Sequence, residues 1–362
     1  MKIAYLAKTI DHGSGGGRYA LSVVKVARGL GLEVEVFKEE DDGHEGQAVL
    51  RRGLGIIQSS LKLRKLVKSF DVVHSLDVWP YGVHAYLSVI GTDKKLFVSG
   101  VGTYSVLPLE SPLKKLILRP ILKRAGKIFC ISHYVKEEMA RRLPLDNLAV
   151  VNLAHTELPA FSGEELERYR QAYEVDRSKY PILLTVGAVK HRKGQLDTVK
   201  AVAKLTKKYP NLLYIMVGTT DEHAYIREIS KFAKANGLEG YIKIVGDAKS
   251  DKALSFFYSI SDVFVMNSNN DHGHFEGFGM VFLEAASFGK PVVGSSNCGI
   301  EDALLDGYNG YLAKQGDSED IAGKIDLALQ NRSALGKNSL EFAKRFSWQK
   351  TVEKYLESYR RP

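Results

Sequence analysis

Glu276-Gly-Phe-Gly-Met-Val-Phe-Leu-Glu284 is the stretch whose reading decides the fold. Its two carboxylates stand eight positions apart, with a Gly-Phe-Gly turn after the first and an apolar run, Met280 to Leu283, leading into the second. Upstream, Asp262-Val-Phe-Val-Met-Asn267 reads as a buried strand. Downstream, Glu284-Ala-Ala-Ser-Phe-Gly289-Lys-Pro291 reads as a helix stopped by Gly and Pro. The whole is therefore a strand, a loop and a helix N-terminus, where open backbone N–H groups favour an anion. Glu276 lies on the loop and Glu284 more than one turn inside the helix. A phosphate at the helix end would have a carboxylate on either side, each free to bind hydroxyls.

Two further motifs follow, Gly294-Ser-Ser-Asn-Cys-Gly-Ile-Glu-Asp302 and Asp306-Gly-Tyr-Asn-Gly-Tyr-Leu312. Together with the first stretch they resemble the signature of retaining, nucleotide-sugar-dependent glycosyltransferases of family 4 (glycosyltransferase group 1), and the resemblance covers nearly the whole chain. It implies the GT-B fold: two Rossmann-like α/β domains with parallel sheets facing across a cleft, and a C-terminal helix crossing back to the first domain. It implies that Glu276 binds sugar hydroxyls, that Glu284 binds the nucleotide ribose, and that Gly277, Phe278, Gly279 and Met280 lie against the donor. It also implies no cofactor and no required metal. The plain alternative is a helix that happens to carry two glutamates.

A chain of 362 residues is too long for one ordinary core, so two domains are expected. Cys130 and Cys298 show no metal or disulfide spacing and read as small buried hydrophobes in a reducing compartment. The start, Met1-Lys-Ile-Ala-Tyr-Leu-Ala7, is too short and too soon followed by Asp11 and glycines for a signal peptide. No apolar run approaches the roughly 18 residues of a membrane span. The expected location is the cytosol, with the inner face of the membrane as a peripheral site. The net charge of +9 fits anionic substrates or an anionic membrane surface. Nucleic acid is the weaker partner, since zinc-finger spacing and aromatic RNA-binding signatures are missing.

In the first half, Lys2 to Leu6 reads as a strand, Asp11-His-Gly-Ser-Gly-Gly-Gly17 as a loop and Arg18 to Leu30 as a helix. This is a phosphate-binding layout. The dinucleotide pattern G-x-G-x-x-G fails, because Arg18 takes the place of the third glycine, which disfavours an oxidoreductase. In the resembling family, paired glycines here approach the donor diphosphate or sugar, and Gly16 and Gly17 match them. Further strands are expected at Glu33–Phe37, Asp71–His74, Lys95–Ser99 and Lys127–Ile131, an exposed acidic loop at Glu39–Glu45, and a helix at Leu54–Phe70. Alternating strands and helices imply a parallel sheet with ligands at the carboxyl strand ends. His74 and the Gly102-Thr-Tyr104 loop fall there. Many family members carry a sugar-binding His where this chain has Val101. Either Thr103, Tyr104 or His74 takes over, on the acceptor or sugar side, or the donor lacks the hydroxyl concerned. His74 reads equally well as a structural strand-end residue.

Ser111 to Gly126 carries Lys114, Lys115, Arg119, Lys123 and Arg124 among Leu and Ile, and Pro120 is expected to kink or split it. It reads either as a helix with a solvated basic face or as a dock for an anionic bilayer or a phosphate-linked lipid acceptor. From about Asn152 to Lys179 the chain reads as an inter-domain connection with a charged helix, Gly163 to Val175. The expected domains are 1–160 with the returning helix 346–362, for the acceptor, and 161–345, for the donor.

The second half is expected to hold strands at Ile182–Val186, Leu212–Val217, Ile242–Val245, Val263–Met266, Pro291–Gly294 and Gly310–Ala313. After the first of them, Gly187-Ala-Val-Lys-His-Arg-Lys-Gly194 places cations before a helix and reads as a diphosphate clamp. The family pattern is Gly-Arg, a spacer, then Lys-Gly. Lys193-Gly194 matches its second part, Ala188 replaces the Arg, and Arg192 supplies a charge nearby. His272 and His274 lack a third ligand at metal spacing. Catalysis is thus expected from Glu276, Lys193 and Arg192 with a nucleotide diphosphate sugar, UDP- or GDP-linked, and a glycan or lipid-linked acceptor. A sugar phosphorylase or a nucleotide-sugar epimerase on the same fold is the alternative.

Overall fold

Thirteen strands form two all-parallel sheets among the described residues, which are 1–246, 248 and 250–361 of a computed structural model. Chain contacts divide the protein into two units, Met1–Ala154 with Phe346–Pro362, and His155–Arg345. The first contains β1 (Lys2–Ala7), β2 (Glu33–Lys38), β3 (Gln47–Ala48), β4 (Val72–Ser75), β5 (Lys95–Gly100), β6 (Lys127–Cys130) and β7 (Leu148–Val150), in the order β3-β2-β1-β4-β5-β6-β7. The second contains β8 (Ile182–Val186), β9 (Leu213–Val217), β10 (Ile242–Val245), β11 (Val263–Met266), β12 (Val292–Ser295) and β13 (Gly310–Ala313), in the order β10-β9-β8-β11-β12-β13. Both sheets wind outward from their first strand and then reverse. The reversal leaves a crevice at the carboxyl ends of β1 and β4 in one unit and of β8 and β11 in the other.

The strands are apolar runs because helices cover both faces. Every residue of β8, β9 and β11 is buried. Two strands have no counterpart in the sequence reading. Gln47–Ala48 follows the acidic loop and pairs only with Phe37 and Lys38, and Leu148–Val150 is only partly buried at the opposite edge. Both are too short for a period-of-two signal.

One sequence expectation needs correction, and of the two alternatives for Pro120 one is removed. The helix expected from Arg18 begins at Gly15, so the last three glycines are its first turn rather than a loop. Ser14 caps it, accepting from the Gly17 amide at 2.9 Å. Pro120 does not split its helix, which runs from Pro112 to Arg124. Pro120 and Leu116 are both exposed, so the Leu116 carbonyl that loses its partner faces solvent.

The final helix, Trp348–Arg360, is built to be buried on one side. Ser347 caps it, and Thr351, Val352, Tyr355, Leu356 and Tyr359 form the covered face at helical spacing. Tyr355 and Tyr359 pack against Phe129 and Phe97 at centroid distances of 4.5 and 4.7 Å, which ties the helix to the first unit's own sheet. Its Tyr359 hydroxyl meets His74 Nδ1 at 2.5 Å, while His74 Nε2 meets Ser99 Oγ at 2.9 Å. His74 is 0% exposed, with both ring nitrogens occupied, so it is removed from the acceptor- or sugar-side candidates. It is the structural strand-end residue.

Burial lowers the His74 pKa to about 3. In the unfolded chain its value is about 6.5, so the unfolded state binds more protons between these limits and stability falls as pH falls. Denaturant midpoints taken from pH 7 to pH 4 should drop, with His74 contributing up to about 1.4 kcal/mol per pH unit. His74→Gln should show a shallower slope. Equal slopes would show that His74 titrates normally in the folded protein.

Candidate functional site

The carboxyl ends of β8 and β11 bring together the two loops that the sequence singles out. Gly194 starts the helix Gln195–Leu205 with φ +67°, and any side chain there would collide with the Asn267 carbonyl at the end of β11. The Asn269 amide donates to the Arg192 carbonyl at 2.8 Å, which fastens one loop to the other. On the far side, a side chain at Gly299 would collide with the Gly277 carbonyl, and the Gly299 amide donates to the Glu276 carbonyl at 2.8 Å. The loop that carries Glu276 is thus held at its start against Gly194 and at Glu276 and Gly277 against Gly299.

This places the Glu276 carboxylate against the cations. Lys193 Nζ lies 2.6 Å from Glu276 Oε2 and Arg192 NH1 lies 3.2 Å from the same oxygen. Burial pushes the Glu276 carboxyl up, but the charges and hydrogen bonds of Lys193 and Arg192 outweigh it and hold the pKa at about 2. Lys190 is shifted the other way: burial, then the positive charges of Arg192 and Lys193, lower its pKa. The site crowds Lys190, Arg192 and Lys193 around Glu276, with the Glu222 carboxylate accepting from the His191 amide beside them.

The remaining residues of the stretch divide by depth. Phe278 and Gly279 are buried, and Gly277 and Met280 are partly exposed. Met280 opens the helix Met280–Ser287 directly after Gly279. Glu284 is 3% exposed and accepts from the Tyr258 hydroxyl at 2.8 Å. Tyr258 was not legible as a partner, because it comes from another helix, Asp251–Ile260. Also missed were Asn267 and Ser268. Both are 0% exposed, and the side-chain polar atoms of both have no hydrogen-bond partner. Buried polar groups are seldom left so, which marks the end of β11 as a place for a polar ligand. Polar Asn267-Ser-Asn-Asn directly after an apolar strand was the available signal. His272 is exposed on the same loop.

In the first unit, the carboxyl ends of β1 and β4 enclose a cavity of about 90 Å³ with Gly16, Gly17, Val101 and Asp77 among its lining residues. The two glycines differ. A side chain at Gly16 would meet open space, whereas one at Gly17 would strike the Asp11 carboxylate. Asp11 Oδ1 already accepts from the Gly13 and Ser14 amides at 2.6 and 2.9 Å, so part of this expected anion site holds an internal carboxylate. Thr103 and Tyr104 open a short turn, Thr103–Val106, with Tyr104 68% exposed.

Two doubly wound units, each with its polar loops at a strand-order reversal, match the plan of the GT-B glycosyltransferases. A glycosyltransferase from Rickettsia africae aligns over 99% of this chain and 97% of its own at 20% identity, with a TM-score of 0.85. Anabaena HepE, in complex with UDP-glucose, aligns over 99% of this chain and all of its own at 19% identity, with a TM-score of 0.80. The sequence model of glycosyl transferases group 1 matches residues 168–347, and that of glycosyltransferase family 4 matches residues 13–153. The chain belongs to the group 1 glycosyltransferases. An uncharacterised glycosyltransferase of Methanocaldococcus jannaschii is 27% identical over 83% of this chain and 79% of its own. Other curated relatives, including D-inositol 3-phosphate glycosyltransferases, are spanned over 40–61% of their length.

Lys193→Met leaves Glu276 with Arg192 alone. Its carboxyl should then titrate at a pH about 1–3 higher than in the wild type, the range an adjacent opposite charge commands. Carboxyl ¹³C NMR of glutamate-labelled protein reads this directly, and an unchanged titration would show that Lys193 is not the dominant partner.

Proposed function

We propose that the chain transfers a sugar, with retention and without a metal, from a nucleotide diphosphate sugar to a glycan or lipid-linked acceptor. The observation that carries this reading is the pairing of Lys193 and Arg192 with Glu276 at the reversal point of the second sheet. A diphosphate leaving group needs concentrated positive charge, and two cations beside a helix N-terminus supply it. Glu276 is ionised at every physiological pH and so is a strong acceptor for sugar hydroxyls. Glu284 would take the ribose, and Gly277, Phe278, Gly279 and Met280 would border the diphosphate. HepE is seen with UDP-glucose, which makes a uracil nucleotide the first donor to test.

The proposed step breaks the bond between the anomeric carbon and the diphosphate oxygen. It forms the acceptor oxygen bond on the same face, and the acceptor proton passes to the departing phosphate oxygen. Lys193 and Arg192 hold that phosphate, and Glu276 fixes the sugar. Because the side chains supply the charge, EDTA should leave the rate unchanged.

The helix Pro112–Arg124 supports a lipid-linked acceptor. Leu113 and Leu116 are 68% and 70% exposed, and they stand among Lys114, Lys115, Arg119 and Lys123. Exposed leucines framed by cations suit the headgroup boundary of an anionic bilayer. No helix among the described residues is long and apolar enough to cross a membrane.

Two measurements test the reading. In a thermal-shift screen of UDP, GDP and ADP with their sugars, one nucleotide sugar should stabilise the wild type by about 2.7 kcal/mol at a hundredfold excess over its Kd. Glu276→Ala should keep the affinity for that nucleotide diphosphate and lose about 10- to 100-fold for its sugar, the worth of hydrogen bonds to a charged group. No shift with any nucleotide would end the transferase reading. Separately, the protein should co-sediment with anionic but not neutral liposomes, with binding weakened by salt and by changing Lys114, Lys115, Lys123 and Arg124 to Gln. Each cation is worth about 1 kcal/mol near such a surface. Failure to bind at low salt would favour a soluble acceptor.

A further inference from the structure

The cavity at the β1–β4 reversal contains a carboxylate that the donor chemistry does not use. Asp77 Oδ1 accepts from the Val78 amide and from the Ser105 hydroxyl, both at 2.7 Å. Ser105 Oγ in turn accepts from the Val101 amide at 2.8 Å. These contacts lock the carboxylate between two loops. Asp77 Oδ2 has no partner among the described residues, and the carboxylate lines the cavity. Neither does any Lys or Arg among the described residues form an ion pair with it.

The surroundings limit what such an oxygen can bind. An anion would face the Asp77 carboxylate, and Lys8, the cation of the lining, is already paired with Glu40 at 3.2 Å. A metal ion would need more ligands, and no group of three His, Cys, Asp or Glu side chains among the described residues is placed to hold one. The walls offer Thr9, Ser14 and the Tyr81 ring, together with the open face at Gly16. A cavity lined by hydroxyl groups, an aromatic residue and one carboxylate, with its lysine paired elsewhere, matches a neutral polyhydroxylated molecule. It would donate one O–H to Oδ2 and lay a C–H face on the ring.

We infer that Asp77 is the acceptor-binding residue of this transferase, with its Oδ2 receiving a hydroxyl of the acceptor sugar and Ser105 positioning it. The assignment rests on the transferase reading above. Burial pushes the Asp77 carboxyl up to about 7, despite the Ser105 and Val78 hydrogen bonds and the charge of Arg52, and a donated hydroxyl would relieve that cost. The role also fits Val101. Its side chain cannot hold a sugar hydroxyl, whereas its amide orients the Ser105 that fixes Asp77.

The test uses the full chain and ligand-observed NMR. The probes are methyl glycosides of glucose, galactose, mannose and N-acetylglucosamine, with myo-inositol, at millimolar concentration and without nucleotide. At about pH 8.5, where the Asp77 carboxyl is ionised, at least one should bind the wild type and bind Asp77→Asn about 10- to 100-fold more weakly, the loss expected for a hydrogen bond to a charged group. Ser105→Ala keeps the carboxylate but loosens it and should give a smaller loss, which guards against a folding defect in the first variant. Nucleotide sugar affinity should be unchanged in both. Three results would overturn the assignment: no probe bound by the wild type, equal binding by Asp77→Asn, or a loss confined to the nucleotide sugar, which would place Asp77 on the donor sugar instead. If no nucleotide shifts the melting temperature while glycoside binding still depends on Asp77, the transferase reading fails and the hydroxyl site stands.

Discussion

A carboxylate cannot be withdrawn from water unless something answers its charge. Glu276 is the case on which the second unit's site depends. Lys193 and Arg192 answer it, and they can do so because two loops from strands far apart in sequence are brought almost into backbone contact. That contact needs Gly194, where a methyl group would strike the Asn267 carbonyl, and Gly299 on a third loop is needed for the same reason against the Gly277 carbonyl. The glycines therefore act through distance: they decide whether a cation stands 2.6 Å from the carboxylate or too far away to matter.

Pairing of this kind has a consequence for the chemistry. Two cations beside one carboxylate leave net positive charge among side chains that are only 13–21% exposed. On the proposed reading, a diphosphate would meet cations that are already part-buried, and a sugar hydroxyl would meet an ionised acceptor held in place. Fixed charges aimed at developing charge are the most effective form of transition-state stabilisation. The unpartnered Asn267 and Ser268 beside the pair point the same way, because the fold leaves polar atoms there that only a ligand or water can satisfy.

The first unit solves a different problem with the same winding. Its crevice holds fewer charges, and its most exposed anion site is partly filled by Asp11 from its own loop. What remains is a small cavity with one oriented carboxylate oxygen. The terminal helix closes this unit's aromatic core through Tyr355 and Tyr359, so residues from both ends of the chain make one packed body.

The doubly wound plan was legible in the sequence because buried parallel strands are apolar on both faces and leave short uninterrupted runs, as at Ile182–Val186 and Val263–Met266. Gly-Phe-Gly between two glutamates and Lys193-Gly194 were legible for a related reason: local backbone geometry and charge demand particular residue types at fixed spacing. The edge strands Gln47–Ala48 and Leu148–Val150 were not, since two or three residues carry no period. Nor could the sequence separate Gly16 from Gly17, or a buried His74 from a ligand-binding one, because each distinction depends on which side chain from a distant element arrives beside it. Asp77 shows this most clearly. In sequence it is one more acidic residue after a strand. Its bond from the neighbouring Val78 amide is local, but only the tertiary structure brings Ser105 onto the same oxygen and leaves the other facing a cavity.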